Sequence, residues 1–249
     1  VVAEINRRGM IAASFNRTDF AADIKGVARD HGLYRLYPEG SFGALSAWAW
    51  GYSRCMDALQ ALDFVDAKAV AITGHSRGGK TTLLAGAVDP RFAVVHANNS
   101  GAGGTGCWRY RMLSEDSASS RSEVLSDLLR NFPFWFGPRL TEYADHEERL
   151  PQDQFLLLAA VAPGKLLDTQ GLADIWANPE GTMQTHFAAR EIYKLYGRED
   201  RICLQYREGG HHHGIAEFKT LMDFLQDQPC DPLIWSNPYE GAQPIFTWR

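Results

Sequence analysis

No stretch of this sequence approaches the roughly 18 consecutive apolar residues that cross a bilayer, and no basic n-region followed by an apolar h-region marks a signal peptide. Basic clusters are missing too. With 25 Lys and Arg against 30 Asp and Glu, the net charge is -5, which argues against a nucleic-acid surface because phosphates require a basic face. The four cysteines, Cys55, Cys107, Cys203 and Cys230, lie far apart with no C-x-x-C pair. That spacing excludes a zinc ribbon or a dense disulfide framework and leaves the redox compartment open. Neither a repeat nor a linker interrupts the chain, so its 249 residues, 45% of them hydrophobic, read as one domain with one substantial core.

What is present alternates between two periods. Val1 to Arg8 reads as a helix end stopped by Gly9, and Met10 to Phe15 as a short apolar run of the kind buried on both faces of a parallel sheet. Asn16 to Ser41 is a polar loop long enough to suggest service to a site. Gly43 to Leu62 has Leu45, Trp48, Tyr52, Met56 and Leu59 at helical spacing. Further strands are expected at Ala69 to Thr73, Phe92 to Ala97, Lys165 to Thr169 and Ile202 to Tyr206. Helices are expected from the turn after Thr73 to Val88, then at Glu123 to Arg130, Gln154 to Val161, Glu180 to Leu195 and Ala216 to Phe224. Strand and helix in alternation predict an α/β fold, a mostly parallel sheet with helices on both faces.

Two motifs overlap on one glycine turn. Gly74-x-Ser76-x-Gly78 fits a nucleophile elbow, and Gly74-x-x-x-x-Gly79-Lys80-Thr81 fits a P-loop. A P-loop wants a magnesium-supporting carboxylate after a neighbouring strand, where this chain has Asn98 and Asn99. The elbow instead requires an acid after a later strand and a histidine after the last, and Asp174 followed by His211, His212 and His213 supplies that order. The chemistry explains the requirement: a serine hydroxyl is a weak nucleophile until an oriented imidazole takes its proton. Three consecutive histidines point in different directions and are a poor metal cage, so neither a metal nor a cofactor is expected.

With these residues in place, the sequence resembles carbohydrate esterase family 15, the glucuronoyl esterases, of bacterial type. The resemblance rests on Gly74-His75-Ser76-Arg77-Gly78-Gly79-Lys80, with Ala47-Trp48-Ala49-Trp50-Gly51, Asn99-Ser100-Gly101-Ala102-Gly103-Gly104, Asn131-Phe132-Pro133-Phe134-Trp135-Phe136, Leu150-Pro151-Gln152-Asp153-Gln154, Asp174-x-Trp176-Ala177-Asn178-Pro179 and Arg207-Glu208-Gly209-Gly210-His211 in order. It implies an α/β-hydrolase fold and cleavage of esters between 4-O-methyl-glucuronic acid of xylan and lignin alcohols. It implies Ser76 as nucleophile, His211 as base, Asp174 as acid and Arg77 as oxyanion donor. Lys80 and Glu123 would bind the sugar's hydroxyls, and Trp176 would cover its ring. The plain alternatives for these three are a surface salt bridge, a helix-terminal charge and a core aromatic.

The chain departs from the family at Asn99, where some members carry the acid, and at Phe155, where many have histidine. His213 is an alternative base, because fungal members place theirs in a His-x-His-Cys setting. A complete fold of this kind would have about three more strands before Gly9, so those strands are expected to be lacking here. The resemblance implies a secreted or periplasmic monomer acting on a uronate ester or glucuronoxylan-type carbohydrate, with no nucleic-acid or membrane partner. An acetyl-xylan-type or other carboxylesterase, or a silent carbohydrate-binding relative, are the competing functions.

Overall fold

The computed structural model describes residues 1–27, 29–114, 120–228, 239 and 242–246. Its centre is a parallel sheet in the order β1 (Ala71–His75), β2 (Val94–Asn98), β3 (Lys165–Gly171) and β4 (Ile202–Arg207). β2 is buried along its whole length and β3 after its first residue, and each buried stretch opens with an apolar pair, Val94-Val95 and Leu166-Leu167, before its polar residues. The register sets Ile72 beside Val95, Val95 beside Leu166 and Leu166 beside Ile202, so four apolar side chains share one face.

That face carries the main core. Helix α3 (Ala44–Gln60), α4 (Arg77–Val88), α6 (Phe155–Ala159) and α7 (Pro179–Leu195) pack Met56, Leu83, Leu158 and Tyr193 onto it. On the opposite face α8 (Ile215–Leu225) brings Leu221 and Phe224 against Val94, Leu167 and Cys203. A polar rung crosses this second face: Thr73 Oγ1 to His96 Nδ1 and His96 Nε2 to Thr169 Oγ1 are both 2.8 Å. Both nitrogens of a wholly buried imidazole are thereby satisfied, as a polar group in a core requires. α1 (Val2–Arg7), α2 (Leu33–Leu36) and α5 (Leu125–Asn131) are short satellites.

A second apolar cluster sits above the sheet, where Trp48, Leu125, Leu128, Trp108 and Trp135 gather the long excursion between β2 and β3. The first turn of α3 is capped by that excursion. Ala44 N donates to Phe134 O at 2.8 Å and Leu45 N to Trp135 O at 3.2 Å, which satisfies backbone donors the helix itself leaves free. At α7, the side chain of Asn178 in the left-handed region accepts from Gly181 N, and Pro179 opens the helix.

Met10 to Phe15 is not a strand, and the sheet has four strands among the described residues where the sequence suggested five. The run pairs with no strand and Ile11 is 63% exposed, so apolar composition alone did not make it core. α5 starts at Leu125, two residues later than the spacing implied, and leaves Glu123 outside the helix. Cys203 is disulfide-bonded while Cys55 and Cys107 are free; Cys230 lies outside the described residues.

Gly86 tests the helix–sheet packing. A Cβ there would lie 2.8 Å from Val95 Cγ1 and closer still to Cγ2, and Val95 is a stiff side chain buried under α4. Alanine ordinarily favours a helix over glycine by about 1 kcal/mol, but overpacking costs roughly 1–3 kcal/mol. Gly86→Ala is therefore expected to lower stability by about 1–2 kcal/mol in urea unfolding, against the sign that helix propensity gives.

Candidate active site

β1 ends at His75, and Ser76 turns the chain at φ 57°, ψ -124° before α4 begins. A non-glycine residue held there costs of order 1–3 kcal/mol, and the surrounding structure over-determines it. Ser76 N donates to Asn98 O at 2.9 Å and Lys80 N to Ser76 O at 3.0 Å, which pins the elbow from both sides. Gly74 is needed sterically, because a Cβ there would run into the Gly78 carbonyl. Beyond Ser76, the first N–H groups of α4 have no partner within the helix and are free to meet negative charge.

The expected acid and base meet. His211 Nδ1 donates to Asp174 Oδ2 at 2.6 Å, with the carboxylate buried and the imidazole side chain 42% exposed. This bond fixes the tautomer and leaves Nε2 as the accepting nitrogen. The His211 ring lies 4.4 Å, centroid to centroid, from the ring of His75, the neighbour of Ser76. Among the described residues no hydrogen bond joins Ser76 Oγ to an imidazole; such contacts commonly tighten only when substrate is bound. The same Asp174 oxygen also accepts from Asn99 Nδ2.

His213 sits elsewhere in chemical terms. Its ring stacks on Phe218 at 4.4 Å and stands 5.4 Å from His96, and its Nε2 has no partner among the described residues. Burial, with His75 nearby, pushes its pKa down to about 4. A neutral imidazole without a carboxylate partner lacks the orientation that a triad base requires.

Arg77 is tethered. Its guanidinium donates to Asp23 Oδ2 at 3.0 Å and lies 5.0 Å and 4.8 Å from the ring centroids of Phe132 and Trp135. Trp135 and Phe132 thus belong to the apolar cluster around Trp48 and also stand beside Arg77. Asp23 is desolvated, which opposes ionisation, yet hydrogen bonds from Arg17, Trp135 and Arg77 hold its carboxyl below the ordinary value. The loop of Asn16 to Ser41 therefore does reach the elbow, and Asp23 is the residue through which it does so.

Lys80, Glu123 and Trp176 also converge. Lys80 Nζ donates to Ser100 O at 2.7 Å, Ala102 O at 2.5 Å and Glu123 Oε2 at 3.1 Å, while Glu123 N donates to Trp176 O at 2.9 Å. Lys80 is 4% exposed, so it is not the surface salt bridge considered above. A cavity of about 360 Å³ lies behind it, lined by Gly103, Trp108, Trp135 and Gln154 among others; neither Ser76 nor His211 lines it. Ser76 and His211 stand instead beyond the carboxyl ends of β1 and β4.

Residues that motif reading passed over hold this arrangement together. His75 Nδ1 donates to Asn98 Oδ1 at 2.6 Å, and Asn98 Nδ2 donates to Thr169 Oγ1 at 2.8 Å. Arg207 and Glu217 form an ion pair beneath the histidine loop. The sequence assigned them no role, although Arg207 opens the segment Arg207-Glu208-Gly209-Gly210-His211 of the family resemblance and both Asn98 and Arg207 end parallel strands, where open α/β sheets place function.

A serine on a strand–elbow–helix turn, with an acid after β3 and a histidine after β4 of a parallel sheet, defines the α/β-hydrolase class. The family model described as "Glucuronyl esterase, fungi" matches residues 2–197, and the chain belongs to the glucuronoyl esterase family. A carbohydrate esterase family 15 glucuronoyl esterase from Caldicellulosiruptor kristjansonii is 37% identical with a TM-score of 0.80, over 93% of this chain and 60% of that one. The 4-O-methyl-glucuronoyl methylesterase of Podospora anserina is 34% identical over 82% of this chain and 43% of its own length. A mutant glucuronoyl esterase of Sporotrichum thermophile, solved with methyl 4-O-methyl-β-D-glucopyranuronate, is 27% identical with a TM-score of 0.72, over 86% of this chain and 60% of that one. The chain spans about half the length of the curated relatives it matches.

The buried histidines predict an acid sensitivity with a definite sign. His213 binds fewer protons folded than unfolded between its ordinary 6.5 and about 4, so stability falls as the pH drops through that window. His96, wholly buried and pushed well below 6.5, acts in the same direction. Replacing His213 by phenylalanine is expected to flatten the loss, seen as a smaller difference in urea midpoint between about pH 4.5 and about pH 7.

Proposed function

We propose that the chain is a serine carboxylester hydrolase acting on esters of 4-O-methyl-glucuronic acid. The observation that carries this reading is the His211–Asp174 hydrogen bond of 2.6 Å, formed beside the elbow serine in a chain of this family. Ser76 is the nucleophile. His211 Nε2 takes its proton as Oγ attacks the uronate carbonyl, and the imidazolium that forms faces the Asp174 carboxylate. The tetrahedral oxyanion is met by the Arg77 guanidinium and the free N–H groups at the start of α4, a type of contact in which one donor is typically worth a few kcal/mol. Collapse expels the alcohol with the proton returned by His211, and water then repeats the cycle on the acyl-enzyme.

On the sugar side, Glu123 offers a carboxylate that can accept from a sugar hydroxyl, and Lys80, its three protons spent on Ser100 O, Ala102 O and Glu123, balances the charge. Trp176 is half-buried next to it and offers a flat apolar face to a pyranose ring. The relatives named as 4-O-methyl-glucuronoyl methylesterases, and the neighbour solved with the methyl uronate ester, support this substrate class. The disulfide at Cys203 favours an oxidising compartment, so we place the protein outside the cytosol. Among the described residues no helix is long and apolar enough to cross a membrane.

Ser76→Ala is expected to abolish release of benzyl alcohol from a benzyl glucuronate ester, with an intact fold by circular dichroism. Undiminished hydrolysis in that variant overturns the serine mechanism. Comparing the same ester with an acetyl ester separates a uronate esterase from a deacetylase, and a wild-type Ser76 that a fluorophosphonate probe fails to label identifies a silent carbohydrate-binding relative.

A further inference from the structure

Arg207 ends β4 and spends its guanidinium on the loop that follows. Nη1 donates to Glu208 O at 3.1 Å, and Nη2 to Gly210 O at 3.0 Å and His212 O at 2.6 Å. These carbonyls bracket His211. Nη2 also donates to Asn99 Oδ1 at 3.2 Å, and Asn99 in turn donates from Nδ2 to Asp174 Oδ2. The carboxylate of Glu217, 3% exposed, pairs with Arg207 from the α8 side and accepts from Gly214 N at 2.8 Å, closing the loop's far end.

The backbone repeats the connection. Leu172 N donates to Arg207 O at 2.9 Å and Ala173 N to Gly209 O at 3.0 Å, so the loop bearing the acid and the loop bearing the base are stitched side by side. Asn99 is 1% exposed and held at φ 45°, a left-handed conformation that asparagine tolerates better than most residues. Its amide is oriented in the one way that satisfies both neighbours: oxygen to the cation, nitrogen to the carboxylate. A carboxylate at this position would face Asp174 with a like charge.

We propose that Arg207 and Asn99 are positioning residues for the reaction: Arg207 fixes the loop that carries His211 and, through the Asn99 amide, orients the Asp174 carboxylate. One guanidinium thereby sets base and acid in register with each other. A lysine cannot do the same, because a single ammonium has no planar fork to reach carbonyls and an amide together. The inference rests on the serine-esterase reading above.

The test measures kcat and KM for benzyl glucuronate ester hydrolysis in the intact chain carrying Arg207→Lys, Asn99→Ala or both, with Ser76→Ala as the mechanistic control. Misplacing a catalytic group by about 1 Å costs up to about 100-fold, so each single variant is expected to lose at least about tenfold in kcat with KM within about twofold of wild type. The double variant is expected to cost less than the product of the singles, because both act on Asp174 through one chain of contacts. Folded variants with kcat within about threefold of wild type, a loss that appears in KM instead, or losses that multiply fully overturn the proposal. If Arg207→Lys does not fold, Asn99→Ala decides alone by its kcat against KM. An active Ser76→Ala would overturn the serine reading itself, an outcome distinct from wild-type kcat in the Arg207 and Asn99 variants.

Discussion

Everything at the site depends on the parallel register of the sheet. Because β1 to β4 all run the same way and are paired in sequence order, their carboxyl ends finish along one rim, with His75 beside Asn98 and Asn98 beside Thr169. Neighbouring strands lie about 4.8 Å apart, so groups at adjacent strand ends or up to three residues beyond them come within hydrogen-bond reach without long loops. Ser76, Asn99, Asp174 and Arg207 are all placed by this one rule. A slip of one residue in any pairing would turn the rim residues to the opposite face and dismantle the site.

The strain at Ser76 follows from the same rim. A strand that must hand over at once to a helix packed on the sheet needs a sharp reversal, and that reversal falls on a residue with a side chain. The conformation persists because it is tied on both sides, by Asn98 O to Ser76 N and by the first turn of α4. Asn98 does this while its side chain holds His75 and Thr169, so the strand next to the elbow serine supplies the clamp. The rung of Thr73, the wholly buried His96 and Thr169 beneath it is satisfied at both imidazole nitrogens, which keeps the rim's base rigid.

The elbow and the order of serine, acid and histidine were legible because they are written locally, in turn glycines and in which strand precedes which residue. Helix α3 was legible from spacing, since Trp48 and Met56 are buried where a period of 3.6 puts them. Met10 to Phe15 misled because an apolar run states a preference for burial and not the presence of a partner strand. The clamps were invisible for a different reason. Arg77 meets Asp23 across 54 residues, Asp174 meets Asn99 across 75, and Arg207 meets Asn99 across 108. Such pairs are consequences of tertiary packing, and no local pattern encodes which polar loop residue reaches which charge. Lys80 shows the limit from the other side: its proximity to Ser76 was readable, but its burial and the engagement of all three protons were not.

Asn99 is where the family comparison first seemed to remove something, and the geometry argues otherwise. The rim positions after β2 and β3 meet through the Asn99–Asp174 side-chain hydrogen bond. With the carboxylate on the β3 side, the β2 position is left with a buried neighbour that must neither repel Asp174 nor strand its lone pairs. An amide meets both demands, since its nitrogen donates to the carboxylate while its oxygen accepts a hydrogen bond from Arg207. The buried carboxylate then accepts from both Asn99 and His211, so it is not left without partners. On the proposed reading with Asp174 as the acid, the Asn99 amide leaves the charge on the β3 side, and the sheet's narrow strand spacing brings it within reach of the histidine loop.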